Sequence, residues 1–240
     1  MKLLQPYNTP VDDRRVQISA AQGSQFAKQV AGDYNPIHDP ESSRFCVPGD
    51  LLFALALGRY GARQSMQFQF LELIAGGSVL TFPKLADAGG SIEIINERDK
   101  PVMAMQANGD VIRDNDKIEA IVREYVAFSG HNFPHILLPL IKQHDVMVNP
   151  KRPLVIYERM AFELEHMNFE TLTLELTASR LEIDGKRGRA TLEFEFKDQQ
   201  TVIGAGSKVL VLSGLRPYDE DVMNQVRDDY LARVAADQTD

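Results

Sequence analysis

AGDYNPIHDPESSRFCVPGDLLFALALGRYGARQ, residues Ala31 to Gln64, is the stretch on which the fold turns, and it holds the densest chemistry of the chain. Asp33, Asn35, Pro36 and His38 fall within six residues. Pro36 and Pro40 keep the backbone from continuing any helix that arrives from upstream, so a loop presents a carboxylate and an imidazole together. Ten residues on, Pro48-Gly49-Asp50 opens the apolar run Leu51 to Leu57, which suits a short buried helix. The order is polar loop, turn, buried helix.

Working outward, Val16 to Ser19 reads as a strand, and Ala20 to Val30 as a helix with Gly32 where it should end. Residues 1–13, with Pro6 and Pro10, read as an extended or capping arm. After Gly61 come strand-like segments at Met66 to Ile74, Ser78 to Pro83, Ser91 to Asn96 and Val102 to Ala107, separated by glycine and charged turns. Then the order starts again. Asp114 to Phe128 carries Ile118, Ile121, Val122, Tyr125 and Val126 at helical spacing, with Asp114 or Asn115 as cap. Ser129-Gly130-His131-Asn132-Phe133-Pro134-His135 reads as a blurred copy of the Gly32 to His38 loop, and Pro139 should shorten or kink a helix over Ile136 to Ile141.

Four more strands are expected at Val155 to Leu164, Thr171 to Ile183, Gly188 to Lys197 and Thr201 to Leu212, with Asp184-Gly185 as a hairpin turn. Ala190, Leu192, Phe194 and Phe196 alternate with polar neighbours, so one face of that strand is wet. Pro217 to Ala236 reads as an amphipathic helix with an acidic start. The weak repeat divides the chain into 1–112 and 113–240.

Gly-Asp-Tyr-Asn-Pro-Ile-His followed by Phe-x-x-Pro-Gly and an apolar helix resembles the MaoC-like (R)-specific enoyl-CoA hydratases and dehydratases, whose hydration motif Asp-x-Asn-Pro-x-His stands complete at Asp33, Asn35, Pro36 and His38. The likeness covers mainly residues 15–107. Arg44 to Leu55 also resembles a bacterial family of similar length and unknown function, a match that would span nearly the whole chain. The first resemblance implies a hotdog, and with the weak repeat the expected fold is an α+β double hotdog, with antiparallel sheets each wrapped round a buried helix and set edge to edge. It implies that Asp33 and His38 hold the water and share the proton transfers of a hydro-lyase, either one acting as base. Asn35 is expected to orient the loop or the water. Backbone N–H groups of Gly49 and Asp50, at a helix start whose dipole favours an anion, are the expected site for the substrate carbonyl oxygen.

Each reading has a plainer rival. Asp33-x-Asn35-Pro36 alone is a common turn; the Asp50 side chain is expected to be a helix cap; Cys46 is expected to be a buried, inert thiol. His131 and His135 read as a decayed copy rather than metal ligands, since no third ligand suggests itself. Lys186, Arg187 and Arg189 read as a solvated hairpin tip, with the phosphates of coenzyme A as a second role.

At 240 residues, 44% of them hydrophobic, the chain can bury a substantial core. One cysteine rules out an internal disulfide and fits a reducing compartment. The opening residues lack the apolar core of a secretory signal, and no apolar run is long enough to cross a bilayer, so the cytoplasm is the expected location. A net charge of −8 argues against nucleic acid and anionic membranes as partners. The expected partner is a small-molecule acyl thioester of coenzyme A or acyl carrier protein, acting as substrate carrier with no other cofactor and no metal. A homodimer is a possible assembly. Fatty-acid metabolism is the expected setting; hydrolysis of the thioester, or acyl-thioester binding without catalysis, are the alternatives.

Overall fold

The computed structural model describes residues 1–150 and 154–237. The chain opens with a 3-10 helix, Lys2–Tyr7, so this part of the arm expected to be extended or capping packs down on the core as a helix. Burial explains it: Leu4 and Tyr7 are buried, and the Tyr7 ring meets Phe26 edge-on at 5.3 Å. The first half then runs β1 (Thr9–Pro10), β2 (Arg15–Gln17), α1 (Ala20–Phe26), α2 (Gly49–Tyr60), β3 (Ala62–Phe70), β4 (Val79–Thr81), β5 (Gly90–Asn96) and β6 (Pro101–Ile112). Ser19 and Gln22 cap α1 reciprocally, each side chain meeting the other's backbone N–H.

The second half runs α3 (Asn115–Gly130), α4 (Leu138–Gln143), β7 (Val146–Met147), β8 (Val155–Leu164), β9 (Thr173–Asp184), β10 (Arg187–Asp198), β11 (Thr201–Ser213), β12 (Arg216–Pro217) and α5 (Glu220–Asp237). Asp114 caps α3 as expected, accepting from the N–H groups of Asp116 and Lys117. Ser129 to His135 is not a second loop. Ser129 and Gly130 end α3, and Phe133–Leu137 forms a wide π turn that leads into α4. Pro134 and Pro139 do not break this path, because each sits in the first turn of its segment, where the missing N–H has no intrahelical duty.

All the main strands belong to one antiparallel sheet of ten, in the order β1-β2-β4-β5-β6-β3-β8-β11-β10-β9; β7 and β12 pair separately. The join is β3 against β8, where Met66 faces Phe162 and Phe68 faces Met160, all four buried. The two sheets expected edge to edge are therefore continuous. Helix α2 is buried at every position from Asp50 to Leu57. Its Phe53 ring packs at 5.2 Å from Phe68 and 4.6 Å from Tyr125 of α3, so α2 touches both its own sheet and the helix of the other half. Truncating a ring so placed costs about 3–5 kcal/mol. In the second half the inward face of β10 is divided. Phe194 packs on Tyr125 and Phe128 of α3, while Ala190 and Leu192 join the cluster of Leu140 and Ile141 from α4.

Candidate active site

The helix begun by α1 widens into a π turn over Ala27–Ala31 and stops at Gly32, whose φ of +65° is left-handed. A Cβ there would press on the His131 ring, so glycine is needed for both conformation and space. The chain then folds back on itself. Asp33 Oδ1 accepts from Asn35 N–H at 2.9 Å, and Asn35 Oδ1 accepts from Ile37 N–H at 3.2 Å, capping the 3-10 turn Pro36–His38. Asn35 thus orients the loop through its side chain.

This local wiring leaves the second oxygen of Asp33 facing the imidazole, with Oδ2 3.5 Å from His38 Nε2. On the other edge of the ring, Nδ1 lies 2.7 Å from the carbonyl oxygen of Cys46, which can only accept, so Nδ1 carries a hydrogen. A neutral ring would then aim a lone pair at the Asp33 carboxylate. Burial pulls the His38 pKa down, but Asp33, the Cys46 carbonyl and Asp50 together outweigh it and hold it above the ordinary value. The side chains of His38 and Asp33 are 12% and 20% exposed, enough for a small molecule to reach both.

Both line a cavity of about 230 Å³ between the two halves. Its walls include Gly49 and Leu52 of α2, Phe70 of β3, and Leu71 and Leu73 just beyond it. The opposite wall comes from the second half: Ser129, Gly130 and Asn132 at the end of α3, Tyr157 of β8 and Lys208 of β11. The blurred copy of the motif therefore faces the motif itself across one cavity. Gly130 makes that approach possible, since a Cβ would overlap the carbonyl oxygen of Ala31. Tyr230 of α5 clamps the junction: its hydroxyl accepts from Tyr34 N–H and shares its one hydrogen between the carbonyls of Gly32 and Gly130.

Asp50 is not a helix cap. Pro48 occupies that position, and the Asp50 carboxylate points inward, 3% exposed. It accepts from Ser129 Oγ at 2.5 Å and from the Tyr157 hydroxyl at 3.0 Å, and Lys208 Nζ donates to the same Ser129 Oγ at 2.6 Å. A buried carboxylate needs this company. Burial raises the Asp50 pKa to about 6, against the lowering effect of Lys208 and Ser129. Burial lowers Lys208 to about 7, against the raising effect of Asp50 and Asp33. Asp50 stands behind Ser129 and Tyr157, outside the cavity lining, whereas Gly49 is on it. The absence of a side chain at Gly49 also lets the Phe70 and Tyr157 rings close over the helix start.

Of the remaining candidates, Cys46 is buried, with its thiol pushed up to about 11 by burial, and contributes its backbone carbonyl to His38. Arg189 is paired with Glu158 at 2.9 Å, and neither it nor the exposed Lys186 and Arg187 lines the cavity. Among the described residues no cluster of three or more His, Cys, Asp or Glu is placed to hold a metal ion, and no helix is long and apolar enough to cross a membrane.

Ser129, Asn132, Tyr157 and Lys208 were not singled out from the sequence. Lys208 had a signal: it is the lone cation on the face of β11 that carries Leu210 and Leu212. Tyr157 had none, because a bulge in β8 sets its pairing. Val209 pairs with Arg159 but Leu210 with Tyr157, which skips Glu158 and turns Tyr157 onto the inner face with Met160.

No curated protein matches the chain. The family model described as "Protein of unknown function (DUF3581)" matches residues 1–221. Among solved structures, the chain is similar to the tesB protein of Mycobacterium avium subs paratuberculosis, at 9% identity over 88% of this chain and 98% of that one, with a TM-score of 0.50. It is also similar to a conserved protein of unknown function with hot dog fold from Alicyclobacillus acidocaldarius (10% identity, 91% and 99% covered, TM-score 0.48). A MaoC-like dehydratase is similar at 10% identity, with 88% and 99% covered and a TM-score of 0.44. At such identities the likeness is one of fold, and the fold is an α+β double hotdog.

Proposed function

The chain belongs to the DUF3581 family, whose description carries no activity, and from the site itself we propose that the protein hydrates an enoyl thioester, or dehydrates the corresponding 3-hydroxyacyl thioester. The observation that carries this reading is the Asp33–His38 pair, 3.5 Å apart on the wall of a largely apolar cavity. Hydration needs a water aimed at C3, a proton for C2 and a donor for the carbonyl oxygen as it gains charge. Asp33 Oδ2 takes a proton from the water as its oxygen adds to C3. His38, whose pKa its two acceptors raise, delivers a proton from Nε2 to C2. The Gly49 N–H, at the positive end of α2, faces the carbonyl oxygen. A cavity of about 230 Å³ is below the usual range of about 300–1,000 Å³ for small-molecule pockets, which suits the reacting end of a thioester with its carrier outside.

The test is to incubate the purified protein with crotonyl-CoA and longer enoyl-CoAs. Loss of the conjugated absorbance, reduced about 10²–10⁴-fold in Asp33→Asn and His38→Ala with the fold intact by circular dichroism, is the expected result. Unchanged turnover in both variants would sink the assignment. The same assay followed with a thiol reagent reads the thioesterase alternative, for which the Ser129–Lys208 contact is the favouring observation. Binding with neither signal would mark an acyl-thioester binder.

A further inference from the structure

Asn132 is 3% exposed and lies on the cavity wall contributed by the second half, yet neither its Nδ2 nor its Oδ1 meets a hydrogen-bond partner among the described residues. Buried polar side-chain atoms are overwhelmingly satisfied, so two open atoms on one carboxamide call for an explanation. Local structure does not supply one. Asn132 stands at the start of the Phe133–Leu137 turn, a position where asparagine commonly caps, but its side chain makes no capping bond. The backbone on either side of it is pinned, with Gly130 pressed against Ala31 and Asp33 and the Phe133 ring packed 5.3 Å from Tyr230.

Around it the other polar groups of this wall are committed. Ser129 and Lys208 are bonded to one another, and Ser129 and Tyr157 to Asp50. Asn132 therefore offers the cavity one donor and one acceptor, side by side and already desolvated. A group with the complementary acceptor and donor on two carbons separated by one other fits it. Resting on the hydratase reading, we propose that Asn132 is the substrate-binding residue that selects the 3-hydroxyacyl thioester: Nδ2 donates to the thioester carbonyl oxygen and Oδ1 accepts from the 3-hydroxyl. The enoyl thioester engages only the donor, and a saturated acyl thioester likewise. The hydroxyl oxygen keeps its lone pairs for the proton that Asp33 returns to it in dehydration, so binding at Asn132 and departure of water are compatible. A site whose buried polar atoms are left open by the wrong ligand discriminates more strongly than an apolar one, because the wrong ligand leaves those atoms desolvated and unpaired.

The experiment is calorimetric titration of the full-length protein with 3-hydroxybutyryl-CoA and with butyryl-CoA, for wild type and Asn132→Leu. The wild type is expected to bind the hydroxylated ligand at least about tenfold more tightly, and Asn132→Leu to bring the two within about twofold. Because the leucine removes an unpartnered buried carboxamide, its Tm is expected to rise, whereas a structural role for Asn132 would lower it. Equal affinities in the wild type, or a ratio unchanged in the variant, would overturn the proposal. If Asn132→Leu does not fold, the side-chain amide resonances of Asn132 in the wild type read the same contact. They should shift with 3-hydroxybutyryl-CoA beyond any shift with butyryl-CoA, and identical responses would overturn it. Failure here leaves the absorbance assay with crotonyl-CoA untouched, and failure of that assay leaves the affinity ratio standing as a binding result.

Discussion

Lys208 Nζ lies 3.6 Å from the centroid of the Tyr157 ring, and the hydroxyl of that same ring donates to Asp50, so one tyrosine holds both ends of a buried charge pair. Ser129 closes the circuit, accepting from the lysine and donating to the aspartate. The pair joins β11 to the start of α2 and thereby fixes the second half against the helix that supports Asp33 and His38. Lys208→Met should break it, leaving the Asp50 charge buried with only hydroxyl partners. The expected loss is on the order of 3 kcal/mol in urea denaturation, and Lys208→Met combined with Asp50→Asn should recover most of it. A double variant as unstable as the single one would show that the two charges do not depend on each other.

The same pair sets an unusual pH dependence. Asp50 is raised to about 6 in the folded protein, from 3.8, so its contribution to stability is present below the lower value and lost as pH rises through the upper one. Lys208 is lowered to about 7, from 10.5, so its contribution is present above the higher value and lost as pH falls through the lower one. Between about pH 6 and 7 both groups carry charge and neither contribution is present. The stability of the double variant minus that of wild type should therefore peak in that window across a series from pH 4 to 10. A flat difference would mean that the two groups titrate normally in the fold.

How far the sequence could foresee this depends on what positions each residue. Asp33, Asn35 and His38 converge through bonds that span only a few residues, and such turn chemistry is readable from the string. So are the Asp114 cap and the alternation of Ala190, Leu192, Phe194 and Phe196, because each is a local rule. Tyr157 is placed by a bulge and Asn132 by a π turn, and neither irregularity has a compositional mark. Asp50 misled for a physical reason: an acidic residue in the first turn of a helix usually faces water, and only the arrival of Ser129 and Lys208 from about 80 and 160 residues away makes its burial tolerable.

His38 should respond to its neighbour in a way that burial alone would not produce. Its pKa is raised because Asp33 and the Cys46 carbonyl overcome a desolvation that acts in the other direction. In Asp33→Asn the carboxylate is gone and burial remains. The imidazole is expected to titrate lower than in wild type. Its ring proton resonances followed against pH would show this directly. A His38 that titrates as in wild type would mean that Asp33 is not its electrostatic partner, and the hydration mechanism would lose its proton source.

At Gly130 the two parts of the chain meet with no room for a side chain, and it offers the sharpest structural test. A methyl group there would collide with the carbonyl oxygen of Ala31 and crowd the Asp33 N–H, both of which are backbone and cannot rotate away. The N–H of Asp33 is itself bonded to the Ala27 carbonyl at 2.8 Å, so relief must come from separating α3 from the motif loop. Gly130→Ala is expected to cost about 2–4 kcal/mol, within the range of severe overpacking, and to abolish turnover in whatever folded protein remains, since it parts Asn132 from the Asp33–His38 pair. Gly185→Ala is the fitting comparison: that glycine has a φ of +57° but open space around it, so only the backbone strain of about 1 kcal/mol applies and the site is untouched. If the two alanines prove equally mild by thermal unfolding, the halves do not meet at Gly130 and the shared cavity is not built as described.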